Sequence, residues 1–198
     1  LGGAFTLVDN ITKNHVARLY SNGTLDSSFN PIVNDTVYSV AIQGDGKIVI
    51  GGEFTHIGGT PRNHVARLET DATLDSSFDP NADSWVNSIA LQADNKVIIG
   101  GDFSTVRGVS RNCVARLNPD GSLDSGFDSN ADKQVYTVAS QPDGKVIIGG
   151  EFTVVNGSPR THLARFNSDG SLDLSFDANV YIPEADAGID AITVQSDG

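Results

Sequence analysis

The sequence predicts an all-β fold of the β-propeller type, built from four repeats of about 49 residues with four antiparallel strands each. One motif recurs in register along the chain, and short apolar runs alternate with turns rich in Gly, Asp and Asn. No stretch shows the i, i+3, i+4, i+7 apolar spacing of a helix. The pattern is compatible with a closed four-bladed ring and with a segment of a larger propeller or array.

The recurring motif reads DGKVIIGGEF from Asp143, DGKIVIGGEF from Asp45 and DNKVIIGGDF from Asp94, and a shortened copy, LGGAF, opens the chain. Three sets of equivalent residues each recur every 49 positions: Phe5, Phe54, Phe103 and Phe152; Arg18, Arg67, Arg116 and Arg165; Phe29, Phe78, Phe127 and Phe176. This period is typical of propeller blades and too long for a β-helix coil. We therefore divide the single repeat domain, 1–198, into units 1–36, 37–85, 86–134, 135–183 and a partial unit 184–198.

Each unit is predicted to contain four strands, shown here for the second unit. Val37–Ile42 is rich in Val, Ile and Tyr, as strands are. The Asp-Gly turn that follows favours a hairpin with a second strand at Lys47–Gly52. After a loop with Gly and Pro, the third and fourth strands are predicted at Asn63–Leu68 and Leu74–Phe78.

The apolar content of these strands predicts their order from the centre of the propeller outward. Val37–Ile42 and Lys47–Gly52 are apolar on both faces, so we expect both faces to be buried between neighbouring blades. Asn63–Leu68 is mixed, and Leu74–Phe78 is mainly polar, as an outer strand is.

The two chain ends interrupt the repeat. The chain starts within a second strand, so the first unit lacks its innermost strand. The partial unit contributes only a first strand, Ile189–Gln195, which follows a five-residue insertion within Ala178–Gly188. This strand lacks a second strand of its own unit to pair with. We expect this segment either to complete the first unit or to pair with other chain. Because Met is absent, we expect a processed product or a segment of a longer protein.

Composition excludes several classes of function. The net charge is −12, no basic run occurs, and we therefore expect no nucleic-acid partner. No apolar run has the length of a membrane span, so no membrane insertion is expected. Apolar residues make up 38%, enough for a buried core. Cys113 is the only cysteine, which excludes an intrachain disulfide.

The motif DGKVIIGGEF, followed by a Gly/Pro loop and ARLNPDGSLDSGFD at Ala115–Asp128, resembles the bacterial delta-60 repeat family over essentially the whole chain. The chain departs from the pattern at Asn95, where the turn glycine is absent, and at the insertion before Ile189. The resemblance implies propeller-type repeats in a long secreted or surface protein. It therefore implies an extracellular or cell-surface location and a module without enzymatic activity.

The four recurring arginines are predicted to be structural, because a residue present in every unit does not mark a single site. An arginine between apolar strand residues is expected to be partly buried and paired. Its candidate partner recurs too, as Asp26, Asp75, Asp124 and Asp173. A regular two-residue turn would put Arg116 and Asp124 on opposite faces, so either the turn is irregular or the aspartate belongs to a neighbouring blade.

Two metal sites are conceivable from the pattern. Oxygen-bearing side chains alternate at Asn118, Asp120 and Asp124, and again at Asn167, Asp169 and Asp173, as in a calcium loop, although turn capping explains the same residues. Calcium is therefore the one possible cofactor.

Four residues of zinc-binding type occupy equivalent places in the units: His15, His64, Cys113 and His162. The predicted third strand lies away from the propeller axis, so these residues are expected to be too far apart to share one zinc ion. A hydrogen-bonding role beside a loop is favoured for these four.

Together with the extracellular location that the resemblance implies, the sequence indicates a non-catalytic module for adhesion, assembly or macromolecular recognition, with a protein or glycan at the cell surface as partner. One alternative is a glycan-binding or carbohydrate-active propeller face, using residues that break the repeat: Trp85, Tyr181, Glu184 and Asp186. Aromatic platforms and carboxylates suit sugars. The other alternative is a filament or array that self-associates through its terminal strands.

Overall fold

The computed structural model describes residues 1–178, 180–182 and 187–195, and these residues form strands and turns without a helix. No helix capable of crossing a membrane is therefore found in this part of the chain. Its strands are β1 (Leu7–Val8), β2 (Ile11–Thr12), β3 (Val37–Ile42), β4 (Ile48–Gly52), β5 (His56–Ile57), β6 (Thr60–Pro61), β7 (Val65–Leu68), β8 (Val86–Leu91), β9 (Val97–Gly101), β10 (Thr105–Val106), β11 (Val109–Ser110), β12 (Val114–Leu117), β13 (Val135–Ser140), β14 (Val146–Gly150), β15 (Val154–Val155), β16 (Ser158–Pro159) and β17 (Leu163–Phe166).

Three units form equivalent antiparallel sheets, which we call blades 2, 3 and 4 (units 37–85, 86–134 and 135–183). Their strand orders are β3–β4–β7, β8–β9–β12 and β13–β14–β17. Blade 1 (unit 1–36) retains the Gly2–Val16 bridge of such a sheet. The first strands of neighbouring blades contact one another, which places them innermost. The predicted all-β propeller-type architecture is confirmed.

The predicted fourth strand is reduced to a single bridge in each blade. In blade 2 this bridge joins Leu74 to Leu68. The chain then turns at once, because the Asp75 carboxylate accepts a hydrogen bond of 3.0 Å from the Ser77 amide. Such an aspartate-capped turn satisfies the backbone within the turn and ends the strand.

The predicted Gly/Pro loop contains a short hairpin of two strands with two residues each, which the sequence pattern did not indicate. In blade 2 it is formed by β5 and β6. Asn34 Oδ1 accepts hydrogen bonds from the Thr55 and His56 amides at 2.9 and 2.8 Å and fixes the start of this hairpin. Asp83 and Asp132 hold the equivalent hairpins of blades 3 and 4 in the same way.

The hydrophobic core lies between blades. Each of three buried clusters combines side chains from two successive blades. The close approach depends on glycine: a Cβ on Gly100 of β9 would lie 2.6 Å from Val138 Cγ1 in β13. Gly101 permits a bulge, since its Cβ would lie 2.0 Å from the Trp85 carbonyl oxygen, and the β8–β9 register shifts there.

The burial of the strands differs from the prediction in one respect. β4 and β7 are completely buried. In the innermost strand β3 only Val37 is buried, and half-buried residues then alternate with exposed ones such as Tyr38 and Ile42. Both faces of β3 were predicted to be buried. An innermost strand has no neighbour on its axial side, and β3 also borders blade 1, which supplies only part of a covering sheet.

The predicted C-terminal strand Ile189–Gln195 is not a strand in the structure, although the segment lies against blade 4. A Cβ on Gly149 would lie 2.9 Å from Ile189 Cγ2, so Ile189 occupies the place that a next blade's first strand would take. Within the described residues, this segment does not pair with Leu1–Gly3, the second strand of blade 1. The insertion Ala178–Gly188 is described only in part.

Candidate functional site

The recurring arginines join each blade to the next at the outer edge. Arg67 Nη1 donates to the Pro119 carbonyl oxygen at 2.6 Å, and Arg116 Nη1 donates to the Ser168 carbonyl oxygen at 2.7 Å. Arg18 makes the equivalent bond to Thr70. In all three bonds the acceptor lies 52 residues after the arginine, in the outer turn of the following blade.

Each arginine is also fixed within its own blade. Arg67 Nε donates to Asp75 Oδ2 at 2.9 Å, and its guanidinium carbon lies 4.4 Å from the centroid of the Phe78 ring. Lys47 Nζ approaches the same Asp75 oxygen at 3.0 Å. The ion pair with Asp75 and the cation–π contact with Phe78 together stabilise the buried guanidinium. All four units repeat the Arg–Asp–Phe part of the arrangement.

An irregular turn explains how arginine and aspartate meet. The Glu69 amide donates to the Thr73 carbonyl oxygen, so three residues, Thr70 to Ala72, form the loop. Ala72 adopts a left-handed φ of 76°. An odd number of loop residues puts Arg67 and Asp75 on the same face, which confirms the first of the two alternatives.

The surroundings of Asp75, next to Arg67, favour the charged form of its carboxylate. Burial raises the pKa of Asp75, but hydrogen bonds from Ser77, Lys47 and Arg67 outweigh burial and hold the pKa well below its usual range. Asp75 therefore keeps its negative charge at neutral pH. The lowered pKa results from hydrogen bonds that stabilise the fold, so it does not by itself mark Asp75 as a catalytic acid.

The six candidate calcium ligands are used within their own turns. Asp120 Oδ1 accepts from the Ser122 amide at 2.9 Å, and Asn118 Nδ2 donates to Ser122 Oγ. Asp124 accepts from Arg116 and Lys96. The turn at Asn167, Asp169 and Asp173 is built in the same way. Among residues 1–178, 180–182 and 187–195, no group of three His, Cys, Asp or Glu side chains could hold a metal. The geometry therefore favours turn capping over calcium binding.

The equivalent residues His15, His64, Cys113 and His162 each begin the third strand in a left-handed conformation, with φ between 63° and 66°. His64 Nδ1 lies 3.2 Å from the Gly52 carbonyl oxygen, and His162 Nδ1 lies 3.0 Å from that of Gly150. They hydrogen-bond the end of the second strand of their own blade.

Of the four residues predicted to bind a glycan, the structure describes Trp85 and Tyr181. Trp85 is 46% exposed, and its carbonyl oxygen accepts a hydrogen bond from the Asp102 amide at 3.0 Å. Tyr181 is 84% exposed beyond blade 4. Glu184 and Asp186 lie outside the described residues. Asp102 itself lines a cavity, whose lining does not include Trp85.

That cavity is a polar cleft between blades 3 and 4, with a volume of about 540 Å³. We call it the blade 3–4 cleft. Its lining includes Asp102, Cys113, Asp132, Lys133 and Glu151. Three carboxylates against one ammonium group give it a negative charge, which disfavours anionic ligands.

Two lining residues break the fourfold repeat. At the position of Cys113 the other units have histidine, and the smaller thiol leaves more room beside the cleft. Burial, followed by the nearby Asp102 and Asp132 carboxylates, raises the pKa of the Cys113 thiol to about 12. The thiol therefore stays protonated at neutral pH and is a poor nucleophile.

The second break concerns Asp102. In blades 2 and 4 a tyrosine hydroxyl donates to the equivalent glutamate, as Tyr136 does to Glu151 at 3.2 Å. Blade 3 has Asn87 in place of this tyrosine, and the Asn87 amide donates instead to the Val135 carbonyl oxygen at 3.2 Å. Among the described residues, no side chain donates to the Asp102 carboxylate. Sequence analysis missed Asp102 and Asn87, although their departure from the repeat was visible in the sequence.

The stacked sheets, the interblade core and the outer arginine bonds define a β-propeller repeat protein. The chain belongs to the family described as "Domain of unknown function (DUF5122) beta-propeller", whose model matches residues 1–29, 43–78, 92–127 and 141–176. The match covers the recurring motif in all four units.

One similar solved structure is that of a gluconolactonase from Xanthomonas campestris. The two chains are 16% identical with a TM-score of 0.44, and the match covers 79% of this chain and 52% of the other. The chain thus spans about half the length of that structure. No curated protein matches the chain.

Proposed function

We propose that the chain is a non-catalytic β-propeller module of an extracellular or cell-surface protein, used for adhesion, assembly or recognition of a protein or glycan. The supporting observation is that the charged residues common to the units are used in contacts within and between blades, as Arg67, Asp75 and Lys47 illustrate. The resemblance to delta-60 repeats supports the extracellular location, and we propose that the units are repeats of this type.

This proposal is tested by incubating the purified chain with polysaccharide and peptide libraries and measuring product formation. We expect no turnover above that of heat-denatured protein. Robust hydrolysis that is lost in an Asp102→Asn variant would contradict the proposal and would place chemistry in the blade 3–4 cleft.

A second candidate function is glycan recognition at the blade 3–4 cleft. The repeat-breaking residue Asp102 lines the cleft, and its amide donates to the carbonyl oxygen of Trp85, which is 46% exposed outside the lining. An exposed aromatic ring beside carboxylate and amide groups can stack on the apolar face of a sugar and bond to its hydroxyls. The negative charge of the cleft favours neutral over acidic glycans.

For this function we expect Trp85→Ala to weaken glycan binding about fivefold, because stacking of an aromatic ring contributes roughly 1 kcal/mol. Glycan-array signals followed by calorimetry measure the change. Thr36→Ala is the matched control, because Thr36 takes the place of Trp85 in the preceding unit. Equal effects of the two substitutions, or none from Trp85→Ala, would argue against recognition at this cleft.

A third candidate function is assembly into a filament or array through the terminal strands. It is supported by the apolar side chains exposed at the blade 1 end, including Leu1, Leu19 and Ile42. Such edges invite pairing with further chain.

A further inference from the structure

The outer turn of blade 1, residues 20–24, differs from the equivalent turns of the other blades at two positions. Asn22 stands where the other blades have an aspartate: Asp71, Asp120 and Asp169. Tyr20 stands where they have Glu69, Asn118 and Asn167. The turn therefore reads Tyr-Ser-Asn-Gly-Thr, and its last three residues have the Asn-x-Thr pattern of an N-glycosylation acceptor.

The turn is nevertheless folded like its equivalents. The Tyr20 amide donates to the Thr24 carbonyl oxygen at 2.9 Å. Asn22 Oδ1 accepts from the Thr24 amide at 3.0 Å and from the Thr24 hydroxyl at 2.7 Å. Asp71 Oδ1 accepts the same two bonds from Thr73, at 2.9 and 2.6 Å. Asparagine thus replaces aspartate here without changing the hydrogen bonds of the turn.

The side chains at the first, third and fifth positions of this turn share one face. In blade 4, Asn167 Nδ2 donates to Ser171 Oγ at 3.0 Å, and Ser171 Oγ donates to Asp169 Oδ1 at 2.7 Å. The equivalent residues of blade 1 are Tyr20, Thr24 and Asn22. Tyr20 is 56% exposed. An exposed aromatic ring therefore lies on the same face of the turn as the Asn22 amide.

Asn22 is accessible for modification. It is exposed, and so are its equivalents Asp71, Asp120 and Asp169, although each of their blades follows another blade. Exposure is therefore a property of this turn. Both bonds to Thr24 use Oδ1, and no residue that the structure describes accepts a hydrogen bond from Asn22 Nδ2. The nitrogen can form a new bond without breaking an existing one.

The pattern Asn-x-Ser/Thr also occurs at three other asparagines: Asn10, Asn34 and Asn156. Asn34 Nδ2 donates to Thr55 Oγ1 at 3.1 Å, so its nitrogen is already used. Asn156 Oδ1 accepts from the Asn130 amide at 2.8 Å. At all three sites an aliphatic residue stands two positions before the asparagine, where Asn22 has a tyrosine. The combination of acceptor and aromatic ring is specific to the turn of blade 1.

We propose that Asn22 is an acceptor for an N-linked sugar and that the Tyr20 ring stacks on the first sugar residue. The donor is a sugar whose C1 atom is linked to a pyrophosphate, and the catalyst is a separate glycosyltransferase. Nδ2 forms a bond to C1, and the bond between C1 and the pyrophosphate oxygen breaks. The pyrophosphate leaves with the electron pair, and one Nδ2 proton passes to a base of the transferase.

Stacking follows from the shape of the two partners. The C–H face of a pyranose is apolar and packs against an aromatic ring. Because the sugar is tethered to the same short turn as the ring, little freedom is lost when they meet. The inference goes beyond the proposed function and rests on its extracellular location, since N-linked sugars are carried by exposed loops of secreted proteins.

The test uses the folded 198-residue chain, a soluble N-glycosyltransferase and UDP-glucose, which carries the required C1–pyrophosphate linkage. Peptide mass spectrometry measures the occupancy of each asparagine over time. We expect Asn22 to be modified about tenfold faster than Asn34, which must first break its bond to Thr55. Proteolytic peptides of the same chain, in which neither amide is held by the fold, give the reference rates.

The stacking contact is tested by the melting temperature of the glycosylated chain. We expect the sugar on Asn22 to raise it by about 2–4 °C, the effect of one aromatic stacking contact in a chain of this size. Tyr20→Asn, which copies the residue of blades 3 and 4, is expected to abolish this rise without preventing attachment.

The matched control is Asp71→Asn combined with Asn22→Asp, which moves the acceptor to the equivalent turn of blade 2. That turn has the same hydroxyl from Thr73 but Glu69 in place of the tyrosine. A sugar at position 71 is therefore expected to attach without raising the melting temperature. Circular dichroism establishes that every variant is folded.

A folded chain that is not modified at Asn22, although the peptide containing it is, would overturn the inference. So would a rise in melting temperature that is equal for Tyr20→Asn, or equal for a sugar at position 71. Turnover and glycan-array measurements on the unmodified chain test the proposed function separately, so the two failures give different results.

Discussion

Replacing Gly101 by alanine is expected to lower the free energy of unfolding by about 3 kcal/mol. The new Cβ would lie 2.0 Å from the Trp85 carbonyl oxygen and 3.0 Å from its carbon. Both are backbone atoms, so no side-chain rotation relieves the clash. The bulge at the end of β8 and β9 must open instead, and the Asp102 amide loses its bond to Trp85. Urea denaturation followed by fluorescence of the single tryptophan measures the change.

Gly44→Ala provides the matched control for this prediction. Gly44 lies in an exposed turn without a positive φ, and a Cβ there meets no atom within 4 Å. Its substitution is expected to change stability by no more than about 0.5 kcal/mol. If both alanine variants unfold at the same urea concentration as the unmodified chain, the bulge does not depend on glycine.

Substitution of Arg116 by alanine is expected to cost about 3–5 kcal/mol, the range for breaking a buried ion pair by removing one partner. The change removes the bonds to Asp124 at 2.8 Å and to the Ser168 carbonyl oxygen of blade 4 at 2.7 Å. It also uncovers the Phe127 ring, 4.6 Å from the guanidinium carbon. Blades 3 and 4 should therefore separate more readily, which amide hydrogen exchange in β13 and β14 can measure.

Two other arginine variants separate charge from geometry. Arg116→Lys keeps the charge but cannot bond to Asp124 and Ser168 together, so we expect only partial rescue. Arg18→Ala is the control, because Arg18 has the same partners in kind but a side chain that is 39% exposed. Its expected cost is smaller than that of Arg116→Ala, because water screens the exposed guanidinium. Equal costs at positions 18 and 116 would show that burial between blades does not set the strength of this contact.

The repeat itself was predictable because a blade is a local structure. The Asp-Gly turns and the Val/Ile runs specify hairpins between strands that are close in sequence. The same proximity made Asp75 a candidate partner for Arg67. The hairpin of β5 and β6 escaped prediction because it depends on hydrogen bonds that a single side chain accepts from the backbone, as Asn34 Oδ1 does from the Thr55 amide.

The blade 3–4 cleft could be predicted only in part. Cys113 was recognisable because the other units have histidine in its place. Its relation to Asp102, Lys133 and Glu151 depends on how two blades pack, since these residues come from two separate units. Spacing along the chain does not report such a juxtaposition, so Asp102 was missed.

The sequence by itself determined that this protein is a chain of equivalent antiparallel sheets, because identical turn and strand residues recur every 49 positions. Only the tertiary structure decided which copies of an equivalent residue are covered. Val40 and Val138 have the same place in their units, but Val138 is buried and Val40 is 36% exposed. The physical reason is that the core lies between blades, so burial depends on having a neighbour on each side, and a periodic sequence does not encode that difference.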